Sequence, residues 1–196
     1  MSSALLQRRD VVGALLAPRR PELLVVGGLG SSSWDIAATD DNPQDFCMVG
    51  GMGLTVPVGL GLAEARPRNR VLVITGDGDM LMGMGSLATV AQMQPRNLAI
   101  VVLDNEVYGE TGGQPTHTAG VTDLAAIAKG AGIAVSGTIR DEASLTEILP
   151  VIHGTDGPVF YAVKVSADMP GTVYPPLDGP FAKDRFRLAV LGKDAV

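Results

Sequence analysis

The sequence predicts an α/β protein in which a doubly wound, mostly parallel sheet lies between two helical layers, a three-layer α/β/α arrangement. Three observations carry this. Short apolar runs recur at Leu23–Val26, Val71–Thr75, Leu98–Leu103 and Val159–Val165, and the longer ones are continuous rather than alternating, as in strands covered on both faces. Segments of helical length separate them, the pattern of parallel strands joined by crossover helices. Glycine-rich turns at 27–33, 50–53 and 76–78 follow apolar or strand-like segments, and such turns gather at the carboxyl edge of a doubly wound sheet, where ligands bind.

Each element follows in order. Ser3 to Ala17 reads as an amphipathic helix, with Leu5, Leu6, Val12, Leu15 and Leu16 near helical spacing and Pro18 ending it. Leu23–Val26 is a short strand running into Gly27–Ser33, and Asp40–Gln44 is a polar loop. After Gly50-Gly51-Met52-Gly53, a helix starts near Pro57 and reaches Ala65, with proline in its first turn. The strand at Val71, a helix over Gly85–Met93 and the strand at Leu98 form one crossover unit. Tyr108–Gly120 is a loop rich in Gly and Thr. Helices over Val121–Gly130 and Glu142–Val151 flank a short strand at Ile133–Val135. Val159–Val165 is the last strand, and a tail with Pro170, Pro175, Pro176 and Pro180 leads to a helix at Phe181–Leu191. The 196 residues make one domain, 1–196, with 168–196 as a C-terminal arm and helix.

Composition narrows the functional classes. Charged residues are 18%, below the usual quarter or so, which together with 25 glycines points to an additional face buried against another chain, a compact domain of low charge being the plain alternative. A net charge of −6 and the lack of a basic cluster argue against nucleic acid; Arg66, Arg68 and Arg70 sit with Pro67 on a connecting loop and read as solvated. The single cysteine, Cys47, excludes an internal disulfide framework and a cysteine-rich metal site, and reads as a buried small residue. The N-terminal residues do not resemble a signal peptide, and no apolar run approaches the roughly 18 residues of a membrane span. A cytoplasmic location is the expectation.

The chemistry concentrates between Val71 and Gly113. The run Val71–Thr75 ends in Gly76-Asp77-Gly78, and the run Leu98–Leu103 ends in Asp104-Asn105. A crossover between them carries Asp77 and Asn105 to one sheet edge. Hard oxygen ligands at the ends of adjacent strands suit a magnesium–diphosphate site. Generic phosphate motifs fail: none of the four lysines lies in a GxxxxGK[ST] loop. G-x-G-x-x-G breaks at Leu81 and again at Ser33. The glycine turns, with the hydroxyls of Ser31, Ser32 and Ser33, remain as candidate phosphate cradles.

Gly76-Asp77-Gly78, the 28-residue span from Asp77 to Asn105, and the closing Asp-Asn resemble the thiamine-diphosphate motif. Gly50-Gly51-Met52-Gly53 is similar to a second signature of the 2-oxoacid decarboxylases and acetolactate synthases. The wording from Asp104 to Gln114 is closest to sulfopyruvate and phosphonopyruvate decarboxylases. The resemblance covers about residues 20–190 and implies the thiamine-diphosphate-binding fold with thiamine diphosphate and Mg²⁺ as cofactors. By position, Asp77, Asn105 and the Val107 carbonyl would ligate the metal, and Gly76, Gly78, the Asp79 N–H and Tyr108 would lie at the diphosphate. Leu29, Gly30, Ser31 and Ser32 would contact the cofactor on its other side. The Gly50 carbonyl would accept from the aminopyrimidine, and Met52 would hold the cofactor bent, so that its amino group reaches the thiazolium carbon. Asp104 stands where many relatives carry asparagine and reads as a brace for the turn.

His117, in Gly112–Thr118 just past the metal turn, with Gln114 and Thr111, is placed to bind an acidic group or relay a proton; a surface-loop histidine is the plain alternative. His153 reads as structural, and Arg140 is a further candidate for an acidic substrate group. The resemblance also implies an activating glutamate on a separate pyrimidine-binding domain, and none of Glu22, Glu64, Glu106, Glu110, Glu142 or Glu147 has that context. The expectation is therefore a β-type subunit of a split thiamine-diphosphate 2-oxoacid decarboxylase. An α-type partner would supply the glutamate, in a hetero-oligomer such as α2β2 or larger, acting on a small 2-oxoacid. An acetolactate-synthase-like carboligase subunit, or a non-catalytic regulatory or binding subunit of the same fold, stands as the alternative.

Overall fold

A computed structural model describes residues 5–192. Along the chain run α1 (Arg8–Leu16), β1 (Leu23–Gly27), α2 (Ser31–Thr39), β2 (Asp45–Cys47), α3 (Thr55–Ala65), β3 (Arg70–Gly76), α4 (Asp77–Met82), α5 (Ser86–Met93) and β4 (Leu98–Asp104). Then come β5 (Val107–Tyr108), β6 (Gln114–Pro115), α6 (Leu124–Ala131), β7 (Val135–Ile139), α7 (Glu142–Gly154), β8 (Val159–Lys164) and α8 (Gly179–Leu191). The main sheet has the order β2-β1-β3-β4-β8-β7 and all its pairs are parallel; β5 and β6 form a small antiparallel hairpin. The chain thus has the predicted doubly wound α/β architecture.

Every residue of β1, β4 and β8 is buried, which explains their continuous apolar runs. Successive residues feed opposite faces. Val25, Leu72, Ile74 and Val101 join α1, α2 and α7 in one core, while Leu24, Val26, Val71 and Val73 join α3, α4, α5 and α6 in the other. The predicted N-terminal helix covers Arg8–Leu16, its buried face being Val11, Val12, Leu15 and Leu16; Leu5 is exposed, and Ser3 and Ala4 lie outside the described residues. The C-terminal arm packs Tyr174 edge-on against Trp34 at 5.8 Å, and α8 sets Phe186 against Phe46; residues 193–196 lie outside the described part.

Five local readings change. The Gly27–Ser33 turn is shorter than predicted, because α2 begins at Ser31 directly after Gly30, whose φ is +75°. The strand expected at Ile133–Val135 runs over Val135–Ile139, Ile133 being a buried lead-in that closes α6 by donating to Ala128. Asp77–Met82, read only as turn, winds into α4, and the polar stretch before Gly50 contains edge strand β2. Arg66 and Arg70 are not solvated. Arg66 donates to the Val190 carbonyl of α8, and Arg70 donates to Ile152 at 2.7 Å and Thr155 at 2.9 Å, tying down the end of α7.

Candidate functional site

Register builds the site. Strands β3 and β4 pair with Gly76 opposite Leu103, so Asp77 and Asn105, one and two residues beyond that pair, leave the sheet at the same edge. Strand β1 delivers the turn before α2 to this edge as well, its Gly27 pairing with Ile74 of β3. A cavity of about 150 Å³ lies where these ends meet. Leu29, Ser31 and Ser32 line it from one side, Met52 from the second glycine turn, and Gly76, Asp77, Gly78 and Asp79 from the head of α4. Asn105, Val107 and Tyr108 close it.

Asp77 is buried, and burial pushes its carboxyl up to about 6; Asp104 nearby adds to the rise, while hydrogen bonds from Thr116 and Thr118 oppose it. Thr116 Oγ1 donates to Asp77 Oδ2 at 2.5 Å, and Thr118 Oγ1 lies 3.2 Å from the same oxygen and 2.7 Å from Asp104 Oδ1. Asp104 in turn meets Lys164 Nζ at 2.7 Å, and Glu106 meets the same ammonium at 2.7 Å. Burial alone would lower the Lys164 pKa; its two carboxylate partners outweigh that and raise it. Glu106 has φ +64°, unusual for a side chain with a Cβ, and the Val107 N–H donates to Asn105 Oδ1 at 3.2 Å. On either side of that tight turn, Asn105 and Val107 both line the cavity.

The donor set suits Mg²⁺: one carboxylate, one amide oxygen and one carbonyl, all hard, leaving positions for phosphate oxygens and water. Among the described residues no three of His, Cys, Asp and Glu cluster as a metal site, so an all-protein cage is not built here. Among the described residues no cationic side chain is paired with the buried Asp77 carboxylate, the local feature that a divalent ion would balance.

Asp79 is buried with both carboxylate oxygens engaged. It accepts from the Thr75 hydroxyl and the Gly53 N–H, so it braces the second glycine turn against β3. Gly78 has no room for a side chain, since a Cβ there would stand 2.6 Å from Tyr108 Cε1 and 3.3 Å from Met52 Cε. Tyr108 and Met52 therefore both pack against Gly78, which lines the cavity with its backbone.

Some expected residues stay outside the cavity lining. Gly50 is exposed on its turn, and Gly30 shapes the start of α2 without lining the cavity. Gln114 is exposed and donates to the Thr111 carbonyl at 2.9 Å; His117 is exposed on a short 3₁₀ turn, while its neighbours Thr116 and Thr118 face inward. Sequence reasoning missed those two threonines and Lys164. The alternation Thr-His-Thr was a usable signal, and so was a lysine ending an otherwise apolar strand. His153, expected as structural, is hydrogen-bonded to the Leu15 carbonyl at 2.9 Å.

A doubly wound sheet that gathers a buried carboxylate, an amide and serine-bearing turns at its carboxyl edge defines an α/β protein built to bind a phosphate ester. Residues 28–163 match the family model described as "Thiamine pyrophosphate enzyme, C-terminal TPP binding domain", and the chain belongs to this family. It is 39% identical to the sulfopyruvate decarboxylase subunit beta of Methanothermobacter thermautotrophicus over 85% of this chain and 87% of that one. With the same subunit from Methanocaldococcus jannaschii it shares 39% identity over 65% of this chain and 67% of that one. It is 42% identical to the phosphonopyruvate decarboxylase of Streptomyces hygroscopicus over 74% of this chain, but only 36% of that longer protein. A solved structure from Mycobacterium smegmatis, described as a thiamin diphosphate-dependent enzyme, superposes with a TM-score of 0.68 at 24% identity. The match covers 83% of this chain and 32% of that one, and it supports the fold alone. Among the described residues no helix is long and apolar enough to cross a membrane.

Proposed function

We propose that this chain is the diphosphate-binding, β-type subunit of a split thiamine-diphosphate-dependent decarboxylase acting on a 2-oxoacid of the sulfopyruvate or phosphonopyruvate kind. The observation that carries it is the convergence of Asp77, Asn105 and Val107 with Ser31 and Ser32 around one cavity, in a chain matched along most of its length by two β-subunits of such enzymes. In this reading Asp77, Asn105 and the Val107 carbonyl hold Mg²⁺. The Gly78 and Asp79 N–H groups and the α2 turn hold the diphosphate. Met52, fixed against Gly78, supports the bend of the cofactor, and Asp79 keeps the Met52 turn in place through Gly53. Thiamine diphosphate bound there supplies the nucleophilic carbon and the electron sink on which a 2-oxoacid loses CO₂.

The partner is the second half of the proposal. Val49, Leu54, Met82 and Met84 are exposed apolar residues around the second glycine turn and the end of α4. Exposed apolar groups concentrated beside a binding site suit a covering subunit, here an α-type chain supplying the activating glutamate. His117 and Gln114, exposed in this chain, would then act on the substrate only once that partner closes the site. The test is cofactor-dependent CO₂ release from a panel of 2-oxoacids by the complex that co-purifies with this chain. Asp77→Ala should abolish it and the isolated chain should lack it; activity surviving Asp77→Ala, or full turnover by the isolated chain, would overturn the reading.

A further inference from the structure

Arg8 belongs to none of the glycine motifs, yet it lines the same cavity as Ser31, Asp77 and Asn105. Its position follows from the sheet. Leu6 pairs in parallel with Val165, one residue beyond β8, and the Ser166 N–H donates to the Leu6 carbonyl at 2.8 Å. This bridge fixes the start of α1 at the carboxyl edge, and Arg8 is the first residue of that helix.

Its guanidinium is only 3% exposed. Nε is paired with Asp35, which is fully buried, and Arg9 Nε approaches the other oxygen of Asp35 at 3.2 Å. Two guanidinium groups share one carboxylate, so one net positive charge stays beside the first turn of α2. Arg8 Nη1 reaches, among the described residues, only the Met169 thioether at 3.7 Å, a weak acceptor. Among the described residues Nη2 is buried without a hydrogen-bond partner. A buried cationic donor left unpaired is costly, and Arg8 carries this one in a side chain that lines the cavity.

A second observation points to the ligand. The Ser31 N–H, at the start of the nine-residue helix α2, donates to the Glu110 carboxylate at 3.1 Å. A Cβ on Gly30 would fall 1.5 Å from that same carboxylate oxygen. The chain thus places an oxyanion of its own against the head of α2, in the cavity that Arg8 also lines.

Resting on the reading of the cavity as a diphosphate site, we infer that Arg8 binds a phosphoryl oxygen of the diphosphate through its Nη groups, with the Ser31 N–H released by Glu110. A diphosphate ester carries about three negative charges at neutral pH. Mg²⁺ shared with the Asp77 carboxylate leaves one positive charge toward the diphosphate, and the arginine pair on Asp35 adds a second. Charge-assisted hydrogen bonds of this type are strong and directional.

The test titrates the full-length chain with inorganic diphosphate and Mg²⁺, by calorimetry and by the fluorescence of Trp34, the single tryptophan, which lies on α2. Arg8→Met should weaken binding tenfold or more and leave Mn²⁺ binding without diphosphate unchanged. A folded Arg8→Met that binds magnesium diphosphate as well as the wild type would overturn the assignment of Arg8 alone. Wild-type chain that binds no magnesium diphosphate would overturn the diphosphate reading with it. Should Arg8→Met not fold, Arg8→Lys keeps the charge and the Asp35 pair but loses the fork. A threefold or greater loss there supports the inference, and unchanged affinity overturns it.

Discussion

Asp104 and Lys164 are register partners on the adjacent parallel strands β4 and β8, and their side chains meet at 2.7 Å at the edge where the cavity opens. Both are the last residues of otherwise apolar strands. From this pair a polar chain runs through Thr118 to Asp77, the proposed metal ligand. The pairing explains how an aspartate is accommodated where many relatives of the resembled family carry asparagine: Lys164 neutralises the charge that the change adds.

A double-mutant cycle tests the pair. Lys164→Met leaves Asp104 buried without its cation and should cost about 3 kcal/mol in urea unfolding. Asp104→Asn should cost less, since Glu106 still holds the ammonium. The double variant should recover much of the Lys164→Met loss, giving a coupling of about 1–3 kcal/mol. Additive losses would show that the two side chains are not energetically linked.

Thr118 bridges two carboxylates, 2.7 Å from Asp104 and 3.2 Å from Asp77. Thr118→Val keeps the shape and removes the donor, so it should cost about 1–3 kcal/mol of stability. Groups that orient a metal ligand also change metal affinity, typically about tenfold or more. Mn²⁺ titration of the variant should show that weakening, whereas His117→Ala, one residue away but exposed, should leave both measurements near wild type.

Gly78 is required by Tyr108. A methyl group 2.6 Å from Tyr108 Cε1 forces the ring aside or the head of α4 outward. Gly78→Ala should cost about 1–3 kcal/mol, the usual penalty for overpacking. It should also reduce magnesium–diphosphate affinity, because the backbone that approaches the phosphate moves. Thermal unfolding and calorimetry read the two effects separately.

Cys47 offers a pH test. Burial pushes its thiol up from 9.0 to about 11. The folded state therefore holds the proton more tightly than the unfolded chain does. The resulting stability is fully present below about pH 9 and is lost as the pH rises through about 11. Alkylation by iodoacetamide should be slow at pH 8 in the folded protein and fast after denaturation. Rapid alkylation of the folded chain at pH 8 would contradict the burial argument.

Legibility in the sequence followed how each element is stabilised. Strands β3, β4 and β8 were readable because burial on both faces demands apolar runs, and Asp77 and Asn105 because each ends such a run. Strand β2 was hidden: Asp45, Phe46 and Cys47 form a three-residue edge strand held by pairing to β1 rather than by composition. Helix α2 was hidden because its first turn is three serines after a glycine, a pattern that also describes a phosphate turn. Thr116 lies 39 residues from Asp77 and Lys164 lies 60 from Asp104, so only the fold brings them together. Arg8 gave no local signal, its role depending on Asp35 of a different helix and on a bridge to Val165.

Glu110 competes for the head of α2. Its carboxylate takes the Ser31 N–H and lines the cavity, presented by a turn that Gly112 and Gly113 shape with φ of +120° and +72°. An incoming diphosphate must displace this negative charge. Glu110→Gln retains an acceptor for the N–H but removes the repulsion, so magnesium–diphosphate affinity should rise about three- to tenfold, equivalent to about 0.7–1.4 kcal/mol. The gain should shrink in high salt, because Glu110 is exposed and its charge is screened. Weaker binding by the variant would instead mean that the carboxylate helps hold the metal–diphosphate complex, and that its contact with Ser31 is not a competing one.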